Sequence, residues 1–129
     1  MKDLINILKG EDFEVWIVTA SPEGMYQQFL SNVFQIPITR IICVRSVIRD
    51  GIITDQIVYP VPQDHGTKEA IETFIQDVPL LVAGNSRGDK EMIEHSKGLK
   101  LIVNPDEHIA PDQKESISDY AKRNNWIVV

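Results

Sequence analysis

One stretch of the chain indicates the fold class most directly: Leu80-Leu81-Val82-Ala83-Gly84-Asn85-Ser86-Arg87-Gly88-Asp89. Its first four residues form a short, fully apolar run, which is typical of a strand buried on both faces of a parallel sheet. Two glycines then favour a tight turn, and Asn85 and Asp89 offer the oxygen ligands that Mg²⁺ prefers. Ordinary turn chemistry explains the same loop equally well, so both interpretations stay open here.

Helical and strand patterns alternate on both sides of this stretch. Apolar periodicity predicts helices over residues 1–10, 22–34, 67–76 and 113–124, and strands over 13–18, 40–47, 52–58, 80–83 and 99–103. Asp50-Gly51 predicts a hairpin turn. Because strands alternate with helices of about ten residues, we expect right-handed crossovers and a mainly parallel sheet. The predicted class is α/β, a three-layer Rossmann-like sheet with helices on both faces and a small β-hairpin, in a single domain over residues 1–129.

A second candidate site follows the first predicted strand, where Thr19-Ala20-Ser21 precedes Pro22. Ser21 and the proline after it predict a helix N-cap and a first helical turn. A hydroxyl at the end of a strand, beside the N–H groups of a helix start, can hold a phosphate oxygen. A plain N-cap with no ligand is the alternative interpretation.

A third candidate is Lys68, in His65-Gly66-Thr67-Lys68. A cation in the first turn of a helix opposes the helix dipole, so its placement there suggests that it neutralises a phosphate or a carboxylate nucleophile. A solvated surface lysine is the alternative. His65 is interpreted as a loop histidine, because no second His or Cys lies at the spacing of metal ligands.

Composition excludes several classes of protein. The chain has 129 residues, and 13 basic against 19 acidic side chains give a net charge of −6, which argues against nucleic-acid binding. The single cysteine, Cys43, excludes an intrachain disulfide and a cysteine metal cluster. No apolar run approaches the roughly 20 residues of a membrane span. The first residues are amphipathic, unlike a signal peptide, so we expect a cytoplasmic protein.

In order, these motifs resemble those of the haloacid dehalogenase (HAD) superfamily, in its phosphoserine-phosphatase-like branch. Residues 15–21 resemble the second motif, Lys68 resembles the lysine of the third, and residues 84–92 resemble the fourth. The resemblance covers roughly the whole chain, because it continues through Asp50-Gly51, Val103-Asn104-Pro105-Asp106 and Asn125-Trp126.

The resemblance implies a HAD-like fold and hydrolysis of a small phosphorylated metabolite through an aspartyl-phosphate, with Mg²⁺ as cofactor. It implies that Thr19 and the N–H of Ala20 hold phosphate, that Lys68 neutralises charge, and that Asn85 and Asp89 serve the metal. We therefore expect Thr19, Lys68, Asn85 and Asp89 to converge at one edge of the sheet.

The chain departs from the family pattern in two ways. No two aspartates have the Asp-x-Asp spacing of the first motif, so the nucleophile is absent, as are the first central strand and the cap region. Asn85 stands where the family usually has an aspartate, which weakens the attraction for Mg²⁺. In the family the missing strand separates those of the second and fourth motifs. We expect either that residues 14–18 pair directly with 80–83, or that another chain fills the gap, as a strand-exchanging homodimer or a missing N-terminal half.

The predicted function is therefore that of a HAD-like phosphatase fragment that is inactive alone. A non-catalytic remnant that acts as a binding or interaction module is the alternative. An unrelated flavodoxin-like binding domain is a third, and the order of the motifs argues against it. The identity of the substrate stays open, because the cap region helps to choose it in this branch.

Overall fold

The structure is a computed structural model that describes all 129 residues. Five α-helices and six β-strands alternate along the chain. The helices are α1 Lys2–Gly10, α2 Glu23–Phe34, α3 His65–Ala70, α4 Lys90–Glu94 and α5 Ile117–Arg123. The strands are β1 Ile17–Pro22, β2 Ile41–Arg49, β3 Ile52–Val58, β4 Leu81–Gly84, β5 Leu99–Ile102 and β6 Ile127–Val128. This order, with parallel pairing between strands, confirms the predicted α/β class.

The chain divides into two compact units, Met1–Pro62 and Gln63–Val129. Each unit contains one three-stranded sheet. The expectation of one domain over residues 1–129 stays a prediction. No helix has both the length and the apolar character needed to cross a membrane.

The first unit is built on the sheet β1-β2-β3. β1 runs parallel to β2, and β2 returns as β3 in an antiparallel hairpin. The hairpin turn is the predicted one, with φ of 50° at Asp50 and 75° at Gly51, the left-handed pair that a tight two-residue hairpin requires. The core of this unit contains Ile5, Ile36, Ile41 and Cys43, with Val15, Ile17, Leu30 and Phe34 packed against them.

The second unit is built on the fully parallel sheet β4-β5-β6. β5 lies in the middle, and its Leu101 and Ile102 are both buried. Every α-helix of the unit contributes buried apolar side chains, and Val82 of β4 and Trp126 are buried as well; the helical and π-helical ones are Ala70, Ile71, Met92, Ile93, Ile117 and Ala121. These helices thus cover the sheet with apolar side chains, as the alternating pattern predicts.

Three predicted boundaries were wrong, each for a local reason. β1 begins at Ile17 and continues through Ser21 to Pro22, because a residue before proline disfavours the helical conformation; Ser21 is therefore not the N-cap. The helix predicted at 67–76 begins at His65 and passes into a π-helical turn over Ile71–Ile75. The helix predicted from 113 begins only at Ile117, where the hydroxyl of Ser116 caps it by accepting from the Asp119 N–H.

Direct pairing of residues 14–18 with 80–83, one of the two expected arrangements, is not among the strand pairings of the structure. β1 pairs with β2 in one sheet, and β4 pairs with β5 in the other. Each of these two strands is the outer strand of its sheet. The ladder hydrogen bonds of β1 and β4 are thus made on one side only, within their own units.

Candidate functional site

The central feature of the candidate site is the loop Gly84–Asp89, which follows the carboxyl end of β4. The Val103 N–H donates to the Gly84 carbonyl at 2.8 Å, and the Asp106 N–H donates to the Asn85 carbonyl, also at 2.8 Å. These bonds hold the loop beside the segment that follows β5. The carboxyl ends of parallel strands are where α/β sheets usually bind ligands.

The carboxylate of Asp89 organises this loop from within. Its Oδ2 accepts from the N–H of Asn85 at 2.9 Å, from the N–H of Ser86 at 3.0 Å and from the Ser86 hydroxyl at 3.2 Å. Hydrogen bonds to a charged acceptor are stronger than those between neutral groups. The loop is therefore closed by its own carboxylate, and the other oxygen, Oδ1, takes part in none of the three bonds.

Gly84 makes this closure sterically feasible. A Cβ built on Gly84 would lie 2.4 Å from the Cβ of Asp89 and 2.7 Å from its carboxyl carbon. Separations under about 3 Å do not occur between real side chains, so any larger residue would displace Asp89.

Asn85 and Asp89 lie together in the loop, since the Asn85 N–H donates to Asp89 Oδ2; their predicted role in holding Mg²⁺ stays a prediction. Asn85 is exposed and supplies a neutral amide oxygen, while Asp89 supplies one carboxylate. No group of three or more His, Cys, Asp or Glu side chains is arranged to hold a metal ion. Magnesium sites commonly combine one or two carboxylates with water and substrate phosphate, so the pair fits a shared metal site and not a complete protein cage.

Lys68 lies in α3, and its ammonium forms an ion pair with Glu72 at 3.6 Å. Its side chain is about two-fifths exposed, at 39%. The start of α3 lies close to the loop, because Asp64 Oδ1 is 3.3 Å from the position that a Cβ of Gly88 would occupy. The placement of the Lys68 ammonium against phosphate stays a prediction.

His65 makes two polar contacts that the sequence did not predict. It is the first residue of α3, and its Nδ1 forms a short hydrogen bond with Glu91 of α4, while Nε2 lies 3.5 Å from Glu69. The hydrogen bond with Glu91 raises the pKa of His65 above its ordinary value of 6.5. The spacing of His65 and Glu69, four residues apart on a helix, was the one available signal of a pair.

Thr19 and Ala20 belong to β1 in the first unit. The Thr19 hydroxyl donates to the Ser21 hydroxyl at 3.1 Å and accepts from the Ser21 N–H at 3.2 Å, while Ala20 is exposed. The convergence of Thr19 with Lys68, Asn85 and Asp89 stays a prediction, because Thr19 lies in a different compact unit.

The segment between β5 and α5 carries groups that the sequence did not single out. The side chains of Ser118 and Ser116 lie near Glu107 and lower the pKa of its carboxyl below the ordinary value. Both serines are buried, each 6% exposed. Arg87 of the loop donates from Nη2 to the carbonyl of Glu115 at 2.5 Å. No local sequence pattern predicts either contact, because the partners lie far apart in sequence.

No family model matches the sequence, and no curated protein matches it. Solved structures do share its fold. A conserved protein of unknown function from Anaerococcus prevotii is 22% identical, with a TM-score of 0.77, over 98% of this chain and 36% of its own. A HAD family hydrolase from Salmonella enterica serovar Typhi is 17% identical, with a TM-score of 0.63, over 98% of this chain and 40% of its own.

A phosphoserine phosphohydrolase-like protein from Francisella tularensis is 18% identical, with a TM-score of 0.63, over 99% of this chain and 56% of its own. The chain thus spans between about a third and just over half of the length of these proteins. At these identities the similarity is one of fold, which this chain shares with the HAD family hydrolase and the phosphoserine phosphohydrolase-like protein.

Proposed function

We propose that this chain provides the phosphate-binding and magnesium-binding part of a HAD-like phosphatase that hydrolyses small phosphate monoesters. The observation that carries the proposal is the Gly84–Asp89 loop at the carboxyl end of a parallel strand, closed by the three hydrogen bonds to Asp89. The shared fold with a HAD family hydrolase and a phosphoserine phosphohydrolase-like protein supports it.

In this proposal, phosphate is bound by Thr19, Ala20 and Lys68. The Thr19 hydroxyl and the Ala20 N–H donate to phosphate oxygens, and the Lys68 ammonium offsets their negative charge. Lys68 gives up its ion pair with Glu72 at little cost, since an ion pair between two partly exposed groups contributes only about 0–1 kcal/mol.

The same proposal assigns Mg²⁺ binding to Asn85 and Asp89. When bound, Mg²⁺ neutralises charge on the phosphoryl oxygens. Asp89 contributes the oxygen that takes no part in closing the loop, and Asn85 contributes its neutral amide oxygen. Because only one of the two is charged, we expect this chain to bind Mg²⁺ weakly in the absence of phosphate.

The nucleophile comes from elsewhere, because the chain has no Asp-x-Asp pair. Covalent phosphoryl transfer cannot proceed without that carboxylate. An N-terminal half that carries the pair would complete the site, and this chain alone is expected to be inactive.

A non-catalytic interaction module is the second candidate. The hairpin β2–β3 favours it, because Ile48 and its cross-strand partner Ile53 are each about two-thirds exposed, at 65% and 67%. Clustered exposed apolar side chains mark surfaces that bind other proteins.

Titration of the chain with inorganic phosphate and Mg²⁺, followed through its amide NMR signals, distinguishes the two candidates. Phosphatase ancestry predicts shifts at residues 84–89, about tenfold weaker binding in Lys68→Gln because a charge-assisted contact is lost, and unchanged binding in the matched control Lys97→Gln. An absence of shifts, or equal effects of the two substitutions, would favour the interaction module.

Turnover of an aryl phosphate by the purified chain is expected to stay at background. Turnover that Lys68→Gln abolishes would overturn the expectation that the chain is inactive alone.

A further inference from the structure

The candidate loop has an external anchor at Arg87, which lies between Ser86 and Asp89, two of the three residues that close the loop internally. The guanidinium Nη2 donates to the Glu115 carbonyl at 2.5 Å, across 28 residues of sequence. Arg87 is half-buried, and its Nε is fully buried without a hydrogen-bond partner. The bond to Glu115 is therefore the specific polar contact by which this side chain attaches the loop to the rest of the unit.

The acceptor of this bond is itself held in place. The carboxylate of Glu115 forms an ion pair with the guanidinium of Arg123 in α5. The same guanidinium lies over the ring of Tyr120, 5.1 Å from its centroid. Glu115 is thus fixed by α5 through its side chain, while its backbone carbonyl faces Arg87.

The helix that follows the loop has a second connection to α5. The Tyr120 hydroxyl donates to Glu94, and the Lys90 ammonium lies 4.8 Å from the centre of the Tyr120 ring. Lys90 and Glu94 are the two ends of α4. Tyr120 therefore attaches α4 to α5, and Arg87 attaches the loop to Glu115, two residues before α5 begins.

We propose that Arg87 is a positioning residue that holds the Gly84–Asp89 loop against the segment before α5, and so sets where the oxygens of Asn85 and Asp89 lie. It acts through the Glu115 carbonyl and does not itself touch phosphate or metal. The effect on ligand binding rests on the proposed function, whereas the effect on the loop does not.

The test compares Arg87→Met, which removes the donors, with Arg87→Lys, which keeps one donor and removes the unpartnered Nε–H. Lys114→Met, an exposed position near Glu115, is the control for loss of one positive charge. Amide hydrogen exchange is measured at Asn85 and Ser86, whose N–H groups bond to Asp89, and at Leu101 and Ile102 in the central strand.

We expect Arg87→Met to accelerate exchange at Asn85 and Ser86 about tenfold, the effect of losing one charge-assisted hydrogen bond. Exchange in β5 should keep the parent rate, Arg87→Lys should restore much of the protection, and Lys114→Met should match the parent. Unchanged exchange in the loop, equal acceleration in β5, or no rescue by lysine would each overturn the proposal.

Phosphate titration of the same variants separates this inference from the proposed function. If the parent binds phosphate, Arg87→Met should weaken binding together with the faster loop exchange, and unchanged binding would contradict a positioning role. If the parent does not bind phosphate, the proposed function fails, and the exchange measurements still decide whether Arg87 positions the loop.

Discussion

Gly84 is the residue at which the candidate loop tolerates no side chain. The close approach of Asp89 leaves no room for a Cβ, and Asp89 in turn accepts the three hydrogen bonds that close the loop. The closed loop therefore requires both residues: Gly84 leaves room for Asp89, and the carboxylate of Asp89, five residues later, accepts the closing hydrogen bonds.

Replacing Gly84 with alanine should destabilise the protein by about 1–3 kcal/mol, because the added methyl group displaces Asp89. Gly24→Ala is the matched control, since a Cβ at Gly24 meets nothing within 4 Å. In helix α2 that alanine should stabilise by about 0.5–1 kcal/mol. Urea denaturation of both variants measures the difference, and equal effects would contradict the role given to Gly84.

At the scale of elements, we expect the contact between α3 and α4 to depend on pH. His65 at the start of α3 bonds to Glu91 in α4. Its pKa is raised in the folded protein, first by that hydrogen bond and then by the charge of Glu91. The contribution to stability is therefore fully present below the unfolded value near 6.5 and is lost as pH rises through the higher folded value.

We expect His65→Asn to reduce the free energy of unfolding more at about pH 6 than at about pH 9, because only the protonated imidazole gains from Glu91. Because His65 is exposed, the effect should be small and should shrink with added salt. Denaturation curves at the two pH values, with His108→Asn as the matched control, provide the measurement. A loss that is larger at the higher pH would contradict the assignment.

At the scale of the whole molecule, the outer strands β1 and β4 are the features that favour association with another chain. Each pairs on one side within its own sheet, and unpaired strand edges tend to recruit another chain. The proposed partners are a second copy of this chain or an N-terminal half, and only the latter would carry the nucleophile.

Sedimentation equilibrium of the isolated chain is expected to show a dimer, with twice the mass of 14.6 kDa, because an apolar strand edge is then covered. Ile53→Lys, which places a charge on the exposed hairpin, should leave that dimer intact if the outer strands mediate it. Dissociation by Ile53→Lys would instead place the contact on the hairpin. A species of 14.6 kDa at every concentration would contradict self-association altogether.

Much of the fold was predictable from local sequence, with errors confined to boundaries and pairing. The run Leu80–Ala83 predicted β4, and Asp50-Gly51 predicted the hairpin. Ser21 was misassigned, since the proline after it kept the backbone extended. In the candidate site, the proximity of Asn85 and Asp89 was predictable from their spacing in one short loop. The contact of Arg87 with the Glu115 carbonyl was not predictable from the sequence.

By itself, the sequence determined the alternation of helices and strands, the left-handed turn at Asp50-Gly51 and a tight turn directly after the strand that ends near Ala83. These features depend on backbone sterics and on groups within a few residues of one another, which a local pattern encodes. Only the tertiary structure decided that β1 and β4 belong to different sheets, that His65 meets Glu91, and that Arg87 is anchored 28 residues away at Glu115. Such contacts depend on which surfaces, distant in sequence, pack together, and the short-range periodicity of the sequence does not predict that packing.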